Sequence, residues 1–281
     1  MTSKTSRADL LTKISTLPGG QLWVFAIKQA WAALFGGLML VALIVTNYVE
    51  LPWLSRYDWL FVIAIAIQGL MLLTKLEKPH EVITILCFHL VGLGMELFKT
   101  SSSIGSWTYP EESLIVLGNV PLFSGFMYAA VGSYIARSWR IMNLTFSHYP
   151  KRRYTIALGL AIYINFFTHH YVYDFRNVLF AGLLLLFGRS WISYILQTKN
   201  RRMPFLVAAL LTTFFIWLSE NIGSYVGAWL YPNQMDGWHL VSVSKIGSWL
   251  LLMVISFIMI DLLHYLRTKK TTKNKRADSE Y

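Results

Sequence analysis

The chain is short of cysteine and of charge, and each shortage excludes something. Its one cysteine, Cys87, stands inside an apolar run, so no disulfide can form within the chain and no thiolate metal site is expected. Charged residues make up 14% of the sequence and hydrophobic ones 55%, whereas a soluble domain carries about a quarter charged residues. Phosphate-binding loops, dinucleotide fingerprints, zinc-protease motifs and serine-hydrolase elbows are all missing, which argues against an ATPase or a protease. The first 20 residues are polar and lack an apolar core with a small-residue cleavage site, so no cleavable signal peptide is expected.

Long apolar runs are what the chain has in quantity, and several reach the roughly 20 residues that cross a bilayer. The expected fold is all-α: a polytopic membrane protein with about eight transmembrane helices, at 23–46, 58–75, 81–99, 113–138, 153–171, 175–197, 203–222 and 239–266. Pro52, Pro79, Pro110, Pro150 and Pro232 fall in or beside the loops, where a missing N–H costs least. Pro121, after Gly118-Asn119, lies inside the fourth span and predicts a kink or break there. Such a break at membrane depth is tolerated where it lines a cavity. Leu10, Leu11, Ile14 and Leu17 recur at helical spacing and predict a short helix on the membrane surface.

The net charge of +11 does not point to nucleic acid, because the basic residues sit in short loops and a tail beside apolar helices. Of the 25 lysines and arginines, all but Arg56, Lys99, Arg176 and Lys245 fall on one side of the expected spans. By the positive-inside rule that side is the cytoplasm, and it holds both termini. Glu50, Asp58, Glu96, Glu111, Glu112, Asp174, Glu220 and Asp236 fall on the other side, a bias that insertion does not require. The stretch after Arg267 is basic and polar and is expected to be a disordered cytoplasmic tail.

Two landmarks occur twice in the same order. Arg56-Tyr57-Asp58-Trp59 is echoed by Val172-Tyr173-Asp174-Phe175, and Gly105-Ser106-Trp107-Thr108-Tyr109-Pro110 by Gly227-Ala228-Trp229-Leu230-Tyr231-Pro232. A glutamate precedes each of the second pair, Glu96 and Glu220, and a glycine follows each, Gly125 and Gly247. The order predicts a duplication into two parallel four-helix repeats related by an axis along the membrane normal. The expected segments are a cytoplasmic piece at 1–21, repeats at 22–145 and 146–267, and the tail at 268–281. Two copies of one outer loop, meeting near that axis, would build a shared pocket.

The candidate chemical groups gather on the outer side. Glu96 and Glu220 end their spans there, either as interfacial carboxylates that reach water or as a buried pair suited to proton transfer. Gly92 and Gly94 approach Glu96 and allow another helix to pack closely. His169 and His170 read as interfacial anchors or as proton-transfer partners of a carboxylate. Adjacent helical residues point about 100° apart, so one helix does not aim both at one ion, and no metal or cofactor is expected. His89, seven residues before Glu96, shares its helix face. With Gln68 and Asn165 it would either bond between helices or line a cavity. Trp107, Tyr109, Trp229 and Tyr231 form an aromatic belt or the wall of a pocket for a flat apolar or cationic ligand. Lys245 is costly in the last span unless paired, and Glu220 and Asp236 are the candidate partners.

Several of these segments look familiar. Phe88-His89-Leu-Val-Gly92 with Met95-Glu96-Leu-Phe-Lys99-Thr100, then Gly105-Ser-Trp107 and Tyr109-Pro110, then Val120-Pro121 through Tyr134, resemble the YoaT-type family of bacterial integral membrane proteins. So do Asn165 through His170, Glu220-Asn221-Ile-Gly223 and Trp229-Leu-Tyr231-Pro232. The resemblance covers about 20–265 and implies the bacterial cytoplasmic membrane, but the family carries a domain-of-unknown-function label and implies no activity. A fainter likeness is to the carotenoid hydratase membrane family. Glu96, Thr100, Gly105-Ser-Trp107-Thr-Tyr109 and Gly118-Asn-Val-Pro121-Leu122 follow that family's order, with tryptophan in place of its first tyrosine and its Pro-Phe missing. Three readings stand side by side: acid–base chemistry on a lipid or isoprenoid, a proton-coupled transporter, and a structural membrane protein. The expected partners are the lipid bilayer and, for the first reading, a lipid or isoprenoid ligand; no oligomeric state is implied.

Overall fold

The computed structural model describes residues 11–277, and almost all of them are helical or in short loops. Leu10 of the expected surface helix lies outside the described residues, and 11–15 are helical. The helices that follow are α1 (Gly20–Ala32), α2 (Leu34–Tyr48), α3 (Arg56–Leu73), α4 (Pro79–Lys99), α5 (Phe123–Met142), α6 (Arg152–Thr168), α7 (Arg176–Phe187), α8 (Phe205–Tyr225) and α9 (Lys245–Ala277). Two small antiparallel sheets accompany them. One is the hairpin β1 (Val116–Leu117) and β2 (Val120–Pro121); the other is the three-stranded sheet of β3 (Thr145–Ser147), β4 (Trp191–Leu196) and β5 (Lys199–Pro204).

Among the described residues four helices, α3, α4, α8 and α9, are long and apolar enough to cross a membrane, and the bent pair α1–α2 makes a fifth. Their outward faces agree. Val41 and Val45 on α2, Ile65 and Leu70 on α3, Ile83 and Leu90 on α4, and Leu210 and Phe215 on α8 are all exposed. Soluble monomers rarely show contiguous apolar surface on this scale, so these helices indicate a membrane location.

Three expected spans differ in detail. The first is broken at Ala33, where α1 and α2 meet at 71°. The fourth begins ten residues late, at Phe123, because Gly118 adopts φ +60° and turns 116–121 into a hairpin. Asp58 holds the loop leading into that hairpin, accepting from Ser113 Oγ at 2.6 Å and from the backbone N–H groups of Leu114 and Ile115. The sixth stops at Phe187, and the remainder of 175–197 pairs instead as β4 with β5. Trp191, Ile192, Tyr194 and Ile195 are aromatic or β-branched and suit a strand better than a helix. At the other end, α9 is helical to Ala277, with no proline or glycine after Gly247 to stop it, so the boundary expected at 267/268 is unmarked. Residues 278–281 of the expected tail lie outside the described residues.

Arg137 explains the bend between α1 and α2. Its side chain is 1% exposed, the largest among the fully buried ones. The guanidinium donates to Ala32 O (3.1 Å), Trp31 O (2.6 Å) and Leu76 O (2.8 Å). The first two are carbonyls freed where α1 ends. Beside it, buried Glu77 accepts from Gln68 Nε2 at 2.5 Å and from Ser133 Oγ. One basic residue of the positive side is therefore a structural pin, joining α5 to the α1–α2 break and to the turn before α4.

Candidate functional site

The two Gly-x-Trp-x-Tyr-Pro segments meet. Gly105 and Gly227 occupy equivalent places and both take positive φ, 55° and 67°, which a side chain would strain. Each turn then aims the following residues across at the other segment. Thr108 and Leu230, the central residues of the two Trp-x-Tyr triplets, exchange both backbone hydrogen bonds at 2.9 Å. Trp107 and Tyr231 pack edge to face across the bridge, with ring centroids 6.3 Å apart. Tyr57 fastens the second segment by donating to Ala228 O at 3.0 Å. Its counterpart in the first landmark pair, Tyr173, is 71% exposed and does no such thing, so the Tyr-Asp landmarks are not structurally equivalent.

Glu96 lies under the first segment and is 4% exposed. Its Oε2 accepts from Trp107 Nε1 (2.8 Å) and Tyr109 Oη (2.7 Å), and its Oε1 from Tyr128 Oη (2.8 Å). Burial, and then the charge of Glu96, push the Tyr109 phenol well above its usual range, so it remains a donor. Glu220 holds the matching place under the second segment, where Tyr231 Oη donates to it at 2.5 Å. Burial and the Glu220 charge likewise push the Tyr231 phenol up. Tyr128 reaches Glu96 because Gly92 leaves room: a Cβ there would stand 2.5 Å from Tyr128 Cγ.

The histidines face a lysine. α6 ends at Thr168, so the 100° spacing of a helix no longer separates the two rings. Both Nε2 atoms turn to Lys99 Nζ, His170 at 2.6 Å and His169 at 3.4 Å. His169 Nδ1 lies 2.9 Å from Asn165 O, and a carbonyl can only accept, so that nitrogen carries the proton and Nε2 offers its lone pair to Lys99. Burial, then the Lys99 charge and then His169, hold the His170 imidazole down to about 4. Both Nε2 atoms thus face Lys99 and not Glu96. Asn165 also binds Asp174, donating from Nδ2 at 3.2 Å. Burial raises the Asp174 carboxyl, but the Asn165 bond, the Arg176 N–H and the Arg176 charge outweigh it and leave it low.

One cavity of about 1220 Å³ connects these groups. Glu96, Glu220, His169, His170, Trp107, Tyr109, Trp229, Tyr231, Lys245 and Asn165 all line it. It continues past Met127, Ile216 and Leu252 to Gln29, Phe25 and Leu22 of α1, where Phe25 packs on Tyr194 of β4. Most of the lining is apolar. Two expected members are elsewhere: His89 packs against Gly125 and Phe126, and Gln68 against Glu77, so the stripe of Gln68, His89, Glu96 and Asn165 does not form. Lys245 has neither expected acid as an ion-pair partner; its Nζ stands 4.5 Å over the Tyr231 ring. Lys99, Tyr128, Arg176 and Trp249 also line the cavity, and sequence reasoning did not assign them to it. The clue to Tyr128 was Gly92, whose missing side chain needed an occupant. Among the described residues no three His, Cys, Asp or Glu side chains converge as metal ligands.

A family model described as "Protein of unknown function (DUF817)" matches residues 21–257. "Uncharacterized protein YoaT" of Bacillus subtilis (strain 168) is 40% identical over 259 residues, covering 92% of this chain and 97% of that protein. No solved structure matches the chain. The likeness to carotenoid hydratases is carried by neither match.

Proposed function

The chain therefore belongs to the DUF817 family of proteins of unknown function, and from its site we propose that it holds a lipid or isoprenoid in the cavity and exchanges a proton with it through Glu96. The observation that carries this reading is a buried carboxylate beneath two aromatic loops, facing a large and mainly apolar cavity. Indole N–H can only donate, and the Tyr109 hydroxyl donates as well, so Oε2 is committed to accepting. A proton on Glu96 sits on Oε1, toward Tyr128, whose hydroxyl can turn to accept it and itself lines the cavity. Glu96 would deliver this proton to one carbon of a double bond. Water would add to the other carbon and return a proton to the carboxylate.

The same proposal sets the protein in the bacterial cytoplasmic membrane as a multi-pass protein of eight crossings, α1–α2 counting as one, with both termini in the cytoplasm. The one-sided basic residues support it. α7, with 12 residues, is about 18 Å long and needs a locally thinned bilayer. The bridged loops support a duplicated scaffold. A proton-coupled transporter is the second reading, favoured by the cavity's reach to α1, with Tyr134 donating to Gln29 at 2.8 Å along the way.

The test is to purify wild type, Glu96→Gln and Glu220→Gln from native membranes and identify co-purifying molecules by mass spectrometry. A lipid or isoprenoid enriched in wild type and altered or lost in Glu96→Gln is expected. Identical profiles matching the bulk membrane would overturn the reading and move the question to proton flux in vesicles.

A further inference from the structure

The cavity's polar end holds more positive charge than its immediate neighbours neutralise. Lys99 is 5% exposed, yet its ammonium touches only two imidazoles and, at 4.4 Å, the face of Phe166. Lys245 stands over Tyr231. Among the described residues no carboxylate oxygen lies within 4.0 Å of either ammonium. Arg176 completes the group; it is bound to Asp174 at 2.8 Å and to Ser248 at 3.2 Å. Asp174 is thus taken by Arg176, and Glu96 already accepts three hydrogen bonds. The nearby counter-charges are Glu220 for Lys245 and, for Lys99, an Asp174 that Arg176 already pairs. A buried cation without a contacting anion is costly in a membrane protein, and all three cations line one cavity whose remaining wall is mainly apolar.

We propose that Lys99, Lys245 and Arg176 form a receptor for the oxyanion head, carboxylate or phosphate, of a long-chain lipid whose tail fills the cavity. This rests on the reading of the cavity as a lipid site and adds the head group to it. The two imidazoles hold Lys99 in place without the negative charge that a carboxylate in their position would bring. The arrangement also seats the first carbons of the tail beside Glu96 and Tyr128.

The test uses the full-length protein in a nonionic detergent, with tryptophan fluorescence as the readout, since Trp107, Trp229 and Trp249 line the cavity. The probes are 9,10-dibromostearate, whose bromines quench indole, the matching uncharged dibromostearyl alcohol, and inorganic phosphate. Dibromostearate is expected to quench at ~tenfold lower concentration than the alcohol, the weight of one charge-assisted hydrogen bond. Lys99→Met should abolish that preference, bringing acid and alcohol to the same quenching concentration, while Lys99→Arg retains the preference. Inorganic phosphate should compete with dibromostearate and not with the alcohol. Equal quenching by acid and alcohol in wild type overturns the head-group assignment alone, and this comparison stands even where Lys99→Met does not fold. Quenching by neither probe overturns the lipid cavity as well. Phosphate that stabilises the protein while acid and alcohol bind alike identifies a site for free anions and overturns the lipid.

Discussion

Replacing Arg137 tests whether the α1–α2 break is built or incidental. The guanidinium reaches three carbonyls on two separate segments, Trp31 and Ala32 at the end of α1 and Leu76 before α4, and its charge lies in the field of buried Glu77. A lysine keeps the charge but carries its donors on one atom, so it cannot serve both segments. At least one charged hydrogen bond is lost, at a cost of about 1.5–3 kcal/mol. Arg137→Met loses all three bonds and removes a positive charge that acts on buried Glu77, and ~3–5 kcal/mol is expected, as for leaving a buried charge uncompensated. The order wild type, Arg137→Lys, Arg137→Met should appear in denaturant unfolding in mixed micelles, followed by tryptophan fluorescence. Residues of α1 and α2 line the cavity, so both variants should also weaken dibromostearate quenching. Arg137→Lys as stable as wild type, or Arg137→Met within about 1 kcal/mol of it, would refute the pin.

Gly92→Ala should destabilise by about 1–3 kcal/mol, because its Cβ must displace the ring of Tyr128. Gly94→Ala, with nothing within 4 Å of its Cβ, should be neutral or stabilising by up to ~1 kcal/mol; equal thermal shifts in the two would count against the packing described. Glu96→Leu leaves three donors unpaired and should cost on the order of 3 kcal/mol or more, whereas Glu96→Gln can turn its oxygen to Trp107 and Tyr109 and its amide to Tyr128, staying within about 1 kcal/mol in the same unfolding assay. His170 is held at about 4 in the folded protein by burial and then by Lys99, below the roughly 6.5 of an unfolded histidine. The stability linked to it is therefore complete above about pH 6.5 and is lost as pH falls toward 4. Lys99→Met removes one cause, so its melting temperature should fall less steeply across that window; parallel profiles would show that Lys99 does not act on His170.

The expected helices and the actual ones coincide where apolar runs are uninterrupted, as in α3, α4 and α8. They part where local chemistry competes with hydropathy. Ile115 to Leu122 is apolar enough to extend a span, yet Gly118 turns and Asp58, distant in sequence, binds the loop before it. Ile192 to Leu196 is apolar because β4 packs one face inward, and periodicity over five residues cannot separate that from a helix. The site was legible because its loops occur twice: the order glutamate, Gly-x-Trp-x-Tyr-Pro pointed to residues that meet in space. Lys99 and Tyr128 were hidden because their partners, His169, His170 and Glu96, lie on other elements far along the chain. The contact of His169 and His170 with Lys99, where a carboxylate partner was expected, was hidden for a related reason. Their ring contacts, Asn165 O for His169 and Lys99 for both, are set by the fold.

The two bridged segments are alike in backbone and unlike in what they hold. Each glutamate accepts from the tyrosine of its own segment, at 2.7 Å for Glu96 and 2.5 Å for Glu220. Glu96 has two further donors, Trp107 and Tyr128. On the second side Trp229 fills the space that Gly223 leaves, where a Cβ would stand 2.2 Å from its ring. Three residues after each glutamate the difference is sharper: Lys99 in the first helix, Gly223 in the second. The first segment thus carries a carboxylate with fixed partners and a cation beside it. The second sets Trp229, Tyr231 and Glu220 in the cavity wall, where Lys245 of α9 also stands. A symmetric pair of acids would present one chemistry twice. Here three donors hold Glu96, while Glu220 meets Tyr231 with Lys245 nearby, so the two carboxylates that line the cavity stand in different surroundings.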